Sequence, residues 1–393
     1  MISLNKDFLS SLIKDNHNSL WRINKIDYNL SSHHLIKYNK PLLETNDYMT
    51  KGIYRSIIYD ETKNKILSFA PPKSLSHTCE EFLNEWNNED IRIEEFIDGI
   101  MIQVYYNGFK WEIATRSIIT ANKTFYHTYK TFKTMFYEAC NFANLNIECL
   151  NQDYVYSFVM QHPDNKIVVH IDTPKLYLVD IFRLIDNKHT TNIEYITLDK
   201  QIYNATLDKT QPLNVHYPTI YHTNTSQDDI SEYETKYCGK DTEYNIVGII
   251  IKNIKSGKRC KLRNPNYNLV KRLRGNQPNM IYRYIEVLKN KSVEQYLHYF
   301  EEDKQFFIMY KIRLSQYIKE LHNYYISCYI KKAHISKEYP LLFRYHMYHL
   351  HKQYKQSKKN IYQDDVKQYI YNLDNSDIFN IIHFFSDQMI SYS

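Results

Sequence analysis

Between residues 52 and 270 the chain alternates short runs of β-branched and aromatic residues with turn residues. The pattern predicts strands over Tyr54–Tyr59, Lys65–Ala70, Tyr154–Met160, Lys166–Ile171, Leu176–Ile181 and Asn245–Ile251. The strongest local signal is a hairpin: Asp98–Tyr106 and Phe109–Ser117 flank Asn107-Gly108, a pair that supplies the two positive φ values of a type I′ turn. A two-residue loop there sets Tyr106 opposite Phe109, Tyr105 opposite Lys110 and Gly99 opposite Arg116. A helix is predicted around Lys123–Asn144, and the polar stretch His222–Gly239 reads as a surface loop. Beyond Gly275 glycine stops. Apolar residues then recur at helical spacing in Met280–Leu288, Val293–Phe300, Phe306–Tyr329, Leu341–Tyr354 and Ile378–Ile390. The chain therefore divides into an α+β domain, residues 1–272, and an all-helical domain, residues 273–393, with Gly275 and Pro278 punctuating the joint.

Composition narrows the function classes. A chain of 393 residues, 43% hydrophobic and 24% charged, is long enough for two cores and too apolar for disorder. Its 38 Tyr against 7 Gly follow A- and T-rich codons, so tyrosine richness is no functional signal. No stretch approaches the roughly 20 apolar residues of a membrane-spanning helix, and the first residues lack the plan of a secretory signal. No membrane contact and an intracellular, cytoplasmic location are expected. The six cysteines are scattered without a CxxC pair, which predicts free thiols and no zinc site. His162, His334, His346, His349 and His351 are read as packed or solvated rather than as metal ligands.

The formal net charge of +6 hides an uneven distribution. Nine basic residues and no acidic one lie between Lys252 and Arg274. Such a run is either a phosphate-binding surface or a solvated face, and the count alone does not choose between them.

Four segments fall in a recognisable order. They are Tyr54–Asp60 with Lys73 in Phe69-Ala70-Pro71-Pro72-Lys73; Glu95-Phe96-Ile97-Asp98-Gly99; Phe158–Val168; and Val247–Lys252 followed by Cys260-Lys261-Leu262-Arg263. The order resembles the nucleotidyltransferase superfamily of ligases and capping enzymes, most closely the T-even phage type of RNA ligase 1, here expected from a large DNA virus. The resemblance covers roughly residues 50–270. It implies nucleotidyltransferase-like antiparallel sheets with helices, followed by a helical tail. In that family a lysine in a Lys-x-Asp-Gly signature attacks the α-phosphate of ATP, with a divalent cation such as Mg, and the adenylate is then passed to an RNA 5′-phosphate.

This chain departs from the pattern at three positions. Phe96 stands where the family has its nucleophilic lysine, and Val159 and Val247 stand where it has carboxylates that handle metal and lysine. What the resemblance retains is the phosphate-facing set Arg55, Lys73, Asp98, Gly99, Arg116, Lys252, Lys261 and Arg263. The expectation is a ligase-like protein that does not adenylate itself, holds no certain cofactor or metal, and keeps a groove for RNA or another polyanion. Two other readings stay open. One is an active ATP- and Mg-dependent ligase or capping-type enzyme with a relocated lysine, Lys252 or Lys261 rather than the distant Lys110. The other is an assembly protein with a vestigial groove, contacting a protein partner through its helical domain.

Overall fold

The computed structural model describes residues 2–15, 19–28, 31–48, 50–75, 91–124, 129–196, 202, 205–223, 227–255 and 257–390. The chain forms two compact units, Met1–Arg272 and Leu273–Ser393. Antiparallel sheets with a few helices make up the first, and helices alone the second, so the class is α+β with an all-helical C-terminal region.

In chain order the first unit contains β1 (Ile2–Asn5), α1 (Lys6–Lys14), β2 (Trp21–Tyr28), β3 (Ser31–Tyr38), β4 (Ile57–Asp60), β5 (Lys65–Phe69), β6 (Ile91–Glu95), β7 (Ile100–Tyr106) and β8 (Trp111–Thr115). There follow α2 (Phe132–Phe142), β9 (Tyr154–Gln161), β10 (Lys175–Asp186), β11 (Thr190–Ile196), β12 (Ile220–Thr223), α3 (Gln227–Cys238), β13 (Gly248–Asn253), β14 (Arg259–Arg263) and α4 (Pro265–Arg274), whose last two residues already belong to the second unit. Three sheets result, ordered β1-β11-β10-β9-β7-β8, β12-β6-β13-β14 and β2-β3-β4-β5. Helix α2 begins where Thr131 Oγ1 accepts the Thr134 amide, and its apolar stripe Phe132, Met135, Phe136 and Ala139 packs on Tyr156, Phe158 and Leu178 of the large sheet. Helix α1 closes a second core against Trp21, Ile36 and Phe182.

Several sequence expectations shift. The hairpin register is two residues longer at its loop: Tyr106 faces Trp111 and Ile102 faces Thr115. Asn107 Oδ1 accepts the amides of Phe109 and Lys110, at 2.9 and 3.0 Å, and Gly108 takes φ +96°, which closes a four-residue connection instead of a two-residue turn. Because the shift is even, each side chain keeps its face. Lys110 consequently pairs with Glu112 at 3.0 Å, and Glu112, not Lys110, faces Tyr105. Lys166–Ile171 is not a strand, since Val168 and Val169 turn their amides to the Asp98 carboxylate. His222–Gly239 contains α3 rather than only loop; its Tyr233 and Tyr237 stack with Tyr221, and Ile230 is buried against Ile249 and Ile251. Cys140, Cys149, Cys238 and Cys328 are free, but Cys260 is in a disulfide; Cys79 lies outside the described residues.

The second unit comprises α5 (Met280–Lys289), α6 (Val293–Tyr299), α7 (Lys304–Tyr325), α8 (Leu341–Ser357), α9 (Gln363–Tyr371) and α10 (Asn375–Ile390). Asn279 caps α5 by accepting the Ile281 and Tyr282 amides. A single turn of π-helix, Ile326–Ile330, extends α7. Among the described residues no helix is long and apolar enough to cross a membrane.

Candidate anion-binding cavity

The site forms where the turn after β6 meets β9 and the β13–β14 ribbon. Phe96 donates its amide to Gly248 O at 3.2 Å, after which Ile97-Asp98-Gly99 turns into β7. Gly99 has φ +147°, and a Cβ there would lie 2.5 Å from Met160 O and 2.7 Å from Val159 Cγ1, so glycine alone lets the turn rest on β9. Gly248, at φ +125°, is required for the same reason: a Cβ would run into Leu262 O.

Asp98 is buried and fully engaged. Its Oδ2 accepts the amides of Val168 and Val169, its Oδ1 accepts the Tyr267 hydroxyl at 2.6 Å, and its backbone carbonyl accepts Gln161 Nε2. Lys271, one helical turn after Tyr267 on α4, donates to the Tyr267 hydroxyl at 3.2 Å. Burial, reinforced by the Asp98 charge, pushes the Tyr267 phenol far up, so it remains a donor at any ordinary pH.

These groups border a cavity of about 540 Å³. Phe96, Val159 and Val247 form apolar wall; Arg55, Arg116, Lys123, Arg263 and Lys271 bring positive charge. The half-buried Phe96 ring lines the space without filling it and faces the Arg263 guanidinium, 5.1 Å from the ring centroid. Arg263 Nε is buried with no hydrogen-bond partner. Arg55, half-buried at the cavity wall, has its pKa lowered to about 10 by desolvation and makes a long 3.4 Å hydrogen bond to Pro71 O. Lys261, on the strand just behind, is lowered to about 7, first by burial and then by the charges of Arg263, Arg55, Lys73 and Lys40. Burial likewise lowers Lys73, whose ammonium sits 3.0 Å from the centroid of the Tyr48 ring, and Lys271, to which Arg263 adds repulsion. Among the described residues no carboxylate ion-pairs with Arg55, Arg116, Lys261, Arg263 or Lys271. Mutually repelling, partly desolvated cations, whose one carboxylate among the described lining residues is the fully engaged Asp98, favour an anion between them.

Not every expected residue borders this space. Arg55, Asp98, Gly99, Arg116 and Arg263 do; Lys73 and Lys261 lie beside it, contributing charge rather than lining. Lys252 is a correction. It is buried, with Nζ 2.6 Å from Glu94 Oε2, 3.1 Å from Asp180 Oδ1 and 3.0 Å from Val179 O, and its cross-strand partner Arg259 binds the same Asp180 at 2.9 and 3.3 Å. Burial alone would lower both bases, but Asp180 and Glu94 outweigh it and hold each above its ordinary value. The basic run is thus neither one phosphate surface nor one solvated face: Lys252 and Arg259 neutralise buried acids, Arg274 pairs with Asp303 in the helical unit, and Lys261, Arg263 and Lys271 serve the cavity. Sequence reading missed Tyr267, Lys271 and Lys123. The four-residue spacing of Tyr267 and Lys271 after the strand is the signal that could have placed two of them on one helix face.

A divalent cation held by the protein does not fit this cavity. Asp98 is its one carboxylate among the described lining residues, and both oxygens are taken. Elsewhere, Glu138, His162 and Asp164 converge closely enough to suggest a metal, but Lys130 already reaches both carboxylates at 2.9 Å and takes the cation's place.

No family model matches the chain. It is 26% identical over 273 residues to the immediate-early protein ICP-46 homolog of Invertebrate iridescent virus 6, covering 65% of this chain and 57% of that protein. It is 29% identical over 100 residues to the RNA ligase of Rhodothermus phage RM378, covering 23% of each. The chain therefore spans little more than half of the first relative and under a quarter of the second. Similar solved structures include an archaeal ATP-dependent RNA ligase, at 10% identity and TM-score 0.42 over 71% of this chain and 64% of that one, and a Naegleria gruberi RNA ligase mutant, at 14% and 0.35 over 51% and 57%.

Proposed function

We propose that this protein is a ligase-like member of the nucleotidyltransferase superfamily that binds a phosphate-bearing ligand, an RNA end or a nucleotide, without forming a covalent adenylate. One observation carries the reading: the cavity gathers five cationic side chains with no free carboxylate, while apolar Phe96, Val159 and Val247 border the same space. The cations answer the distributed charge of a phosphate group. A lysine attack would need an amine where Phe96 stands and acids where the valines stand.

The test is incubation with α-labelled ATP or GTP and a divalent cation, followed by a denaturing gel. No labelled band is expected, and a band surviving boiling in detergent overturns the reading. Phe96→Lys alone should not create one, because an amine among Val159 and Val247 is costly to charge and lacks acids to hold a metal. Salt-dependent binding of RNA by the parent separates this reading from an assembly protein with an idle groove.

A second reading, an active ligase with a relocated amine, is favoured by two observations: Lys271 borders the cavity, and Lys261 has a pKa near 7 that leaves much of it neutral. Lys252 is out of contention, since its ion pairs keep it charged and buried. If the gel shows a band, Lys261→Arg and Lys271→Arg identify the carrier.

A further inference from the structure

The cavity opens beside a second group of cations on a different sheet. In the β2–β3 hairpin Arg22 stands directly opposite Lys37, a like-charge pair that weakens the hairpin it belongs to. Lys37 Nζ reaches Ser117 Oγ at 2.5 Å, and Asn24, on the same face of β2 as Arg22, donates to Ser117 O at 2.6 Å. Ser117 borders the cavity together with Arg116 and Lys123. The Lys37 pKa is lowered to about 8, by burial first and then by Arg116, Arg22 and Lys123, so Lys37 feels the charge of all three. Arg22, Arg116 and Lys123 are exposed, and among the described residues none of the four ion-pairs with a carboxylate. Farther along β2 the arrangement is ordinary: Lys25 pairs with Asp27 at 2.8 Å.

We propose that Arg116, Lys123, Lys37 and Arg22 form a track that carries the backbone of a single-stranded nucleic acid away from the cavity. The track rests on the reading of the cavity as a phosphate site, because its continuity through Ser117 is what makes a strand, rather than an isolated anion, the fitting partner. Exposed guanidinium and ammonium groups beside a serine hydroxyl and an asparagine amide are the groups that hold phosphates without reading bases. The side chains that make up the track, Arg22, Asn24, Lys37, Arg116, Ser117 and Lys123, are all polar. Sequence preference should accordingly be weak and salt dependence strong.

Two probes separate the track from the cavity: inorganic tripolyphosphate, short enough to fill the cavity alone, and a fluorescent single-stranded RNA of about twelve nucleotides bearing a 5′-phosphate. In Arg22→Gln with Lys37→Gln, tripolyphosphate affinity should stay within about twofold. RNA affinity should fall about tenfold, and the slope of log affinity against log salt should flatten by about 1.4, at about 0.7 per lost phosphate contact on a single strand. The swap Arg22→Lys with Lys37→Arg should restore RNA binding and shows that the fold is intact, and Lys25→Gln should change nothing. If the parent fails to bind tripolyphosphate while its RNA binding still depends on Arg22 and Lys37, the cavity reading falls and the track stands. An unchanged affinity and slope in the glutamine double variant overturns the track. So does a parent that binds no RNA at moderate salt, or a polyglutamate peptide of equal charge that binds as tightly as the RNA.

Discussion

Strand β14 carries Arg259, Lys261 and Arg263 on one face, and the two ends of that face have opposite fates. At one end Arg259 and its neighbour Lys252 close on Asp180 and Glu94, every charge answered and the group sealed from water. At the other end, two and four residues on, Lys261 and Arg263 repel each other and Arg55, and no acid answers them. Both ends look alike as sequence. What distinguishes them is whether a carboxylate arrives from a distant strand, and that decides whether a base holds the fold or waits for a ligand.

The sharpest way to break this contrast is to remove the answering charge. Asp180→Asn leaves Lys252 and Arg259 buried without their shared partner and should cost about 3–5 kcal/mol of stability in urea unfolding. A loss below about 1 kcal/mol would mean that end is not a closed cluster. Next, Lys261→Gln with Arg263→Gln should not lower stability and should raise it at neutral pH, since relief of the burial and repulsion on Lys261 outweighs the lost contact with Phe96. The same pair should lower tripolyphosphate affinity by at least about 2 kcal/mol, the scale of one or two charge-assisted hydrogen bonds. Unaltered affinity would place the ligand elsewhere.

A smaller effect concerns pH. The folded pKa of Lys261, about 7, lies below its ordinary 10.5, so between these values the unfolded chain holds a proton that the folded one has released. Folding stability should therefore rise with pH across that window, by up to about 1.4 kcal/mol per pH unit from this group, and the penalty is fully present below pH 7. Lys261→Met should remove that rise. A parent whose stability is flat or falling there, and indistinguishable from the variant, would show that Lys261 is solvated and charged.

Much of this was legible in the chain. The period-2 runs located β5 and β9 and the cores of β7, β8 and β13, and the break at Gly275 marked the change to helices, although Gln363–Tyr371 was too short and polar to be read, with only Val366 and Ile370 buried. Polar strands escaped as well: β3 buries His33 and His34, and β6 buries Glu94, so neither advertises itself by hydropathy. Helix α3 read as loop because its packing depends mostly on stacked tyrosines, with Ile230 its buried aliphatic residue. Around the cavity, Phe96, Asp98, Gly99, Val159, Val247, Arg55, Arg116 and Arg263 could be named from motif order. Lys252 could not be sorted from Lys261, because its partner Asp180 lies 72 residues away and pairing across sheets leaves no local mark.

The account turns on the unanswered end of β14 being an anion site whose ligand recharges Lys261. Isothermal calorimetry with inorganic tripolyphosphate at pH 8, in two buffers of different ionisation enthalpy, measures this directly. At that pH most of the free protein's Lys261 is neutral, and a bound polyanion raises its pKa, so binding should take up about one proton in the parent and markedly less in Lys261→Gln, with weaker affinity. Binding that takes up no proton, or that is equally tight in Lys261→Gln, contradicts the account.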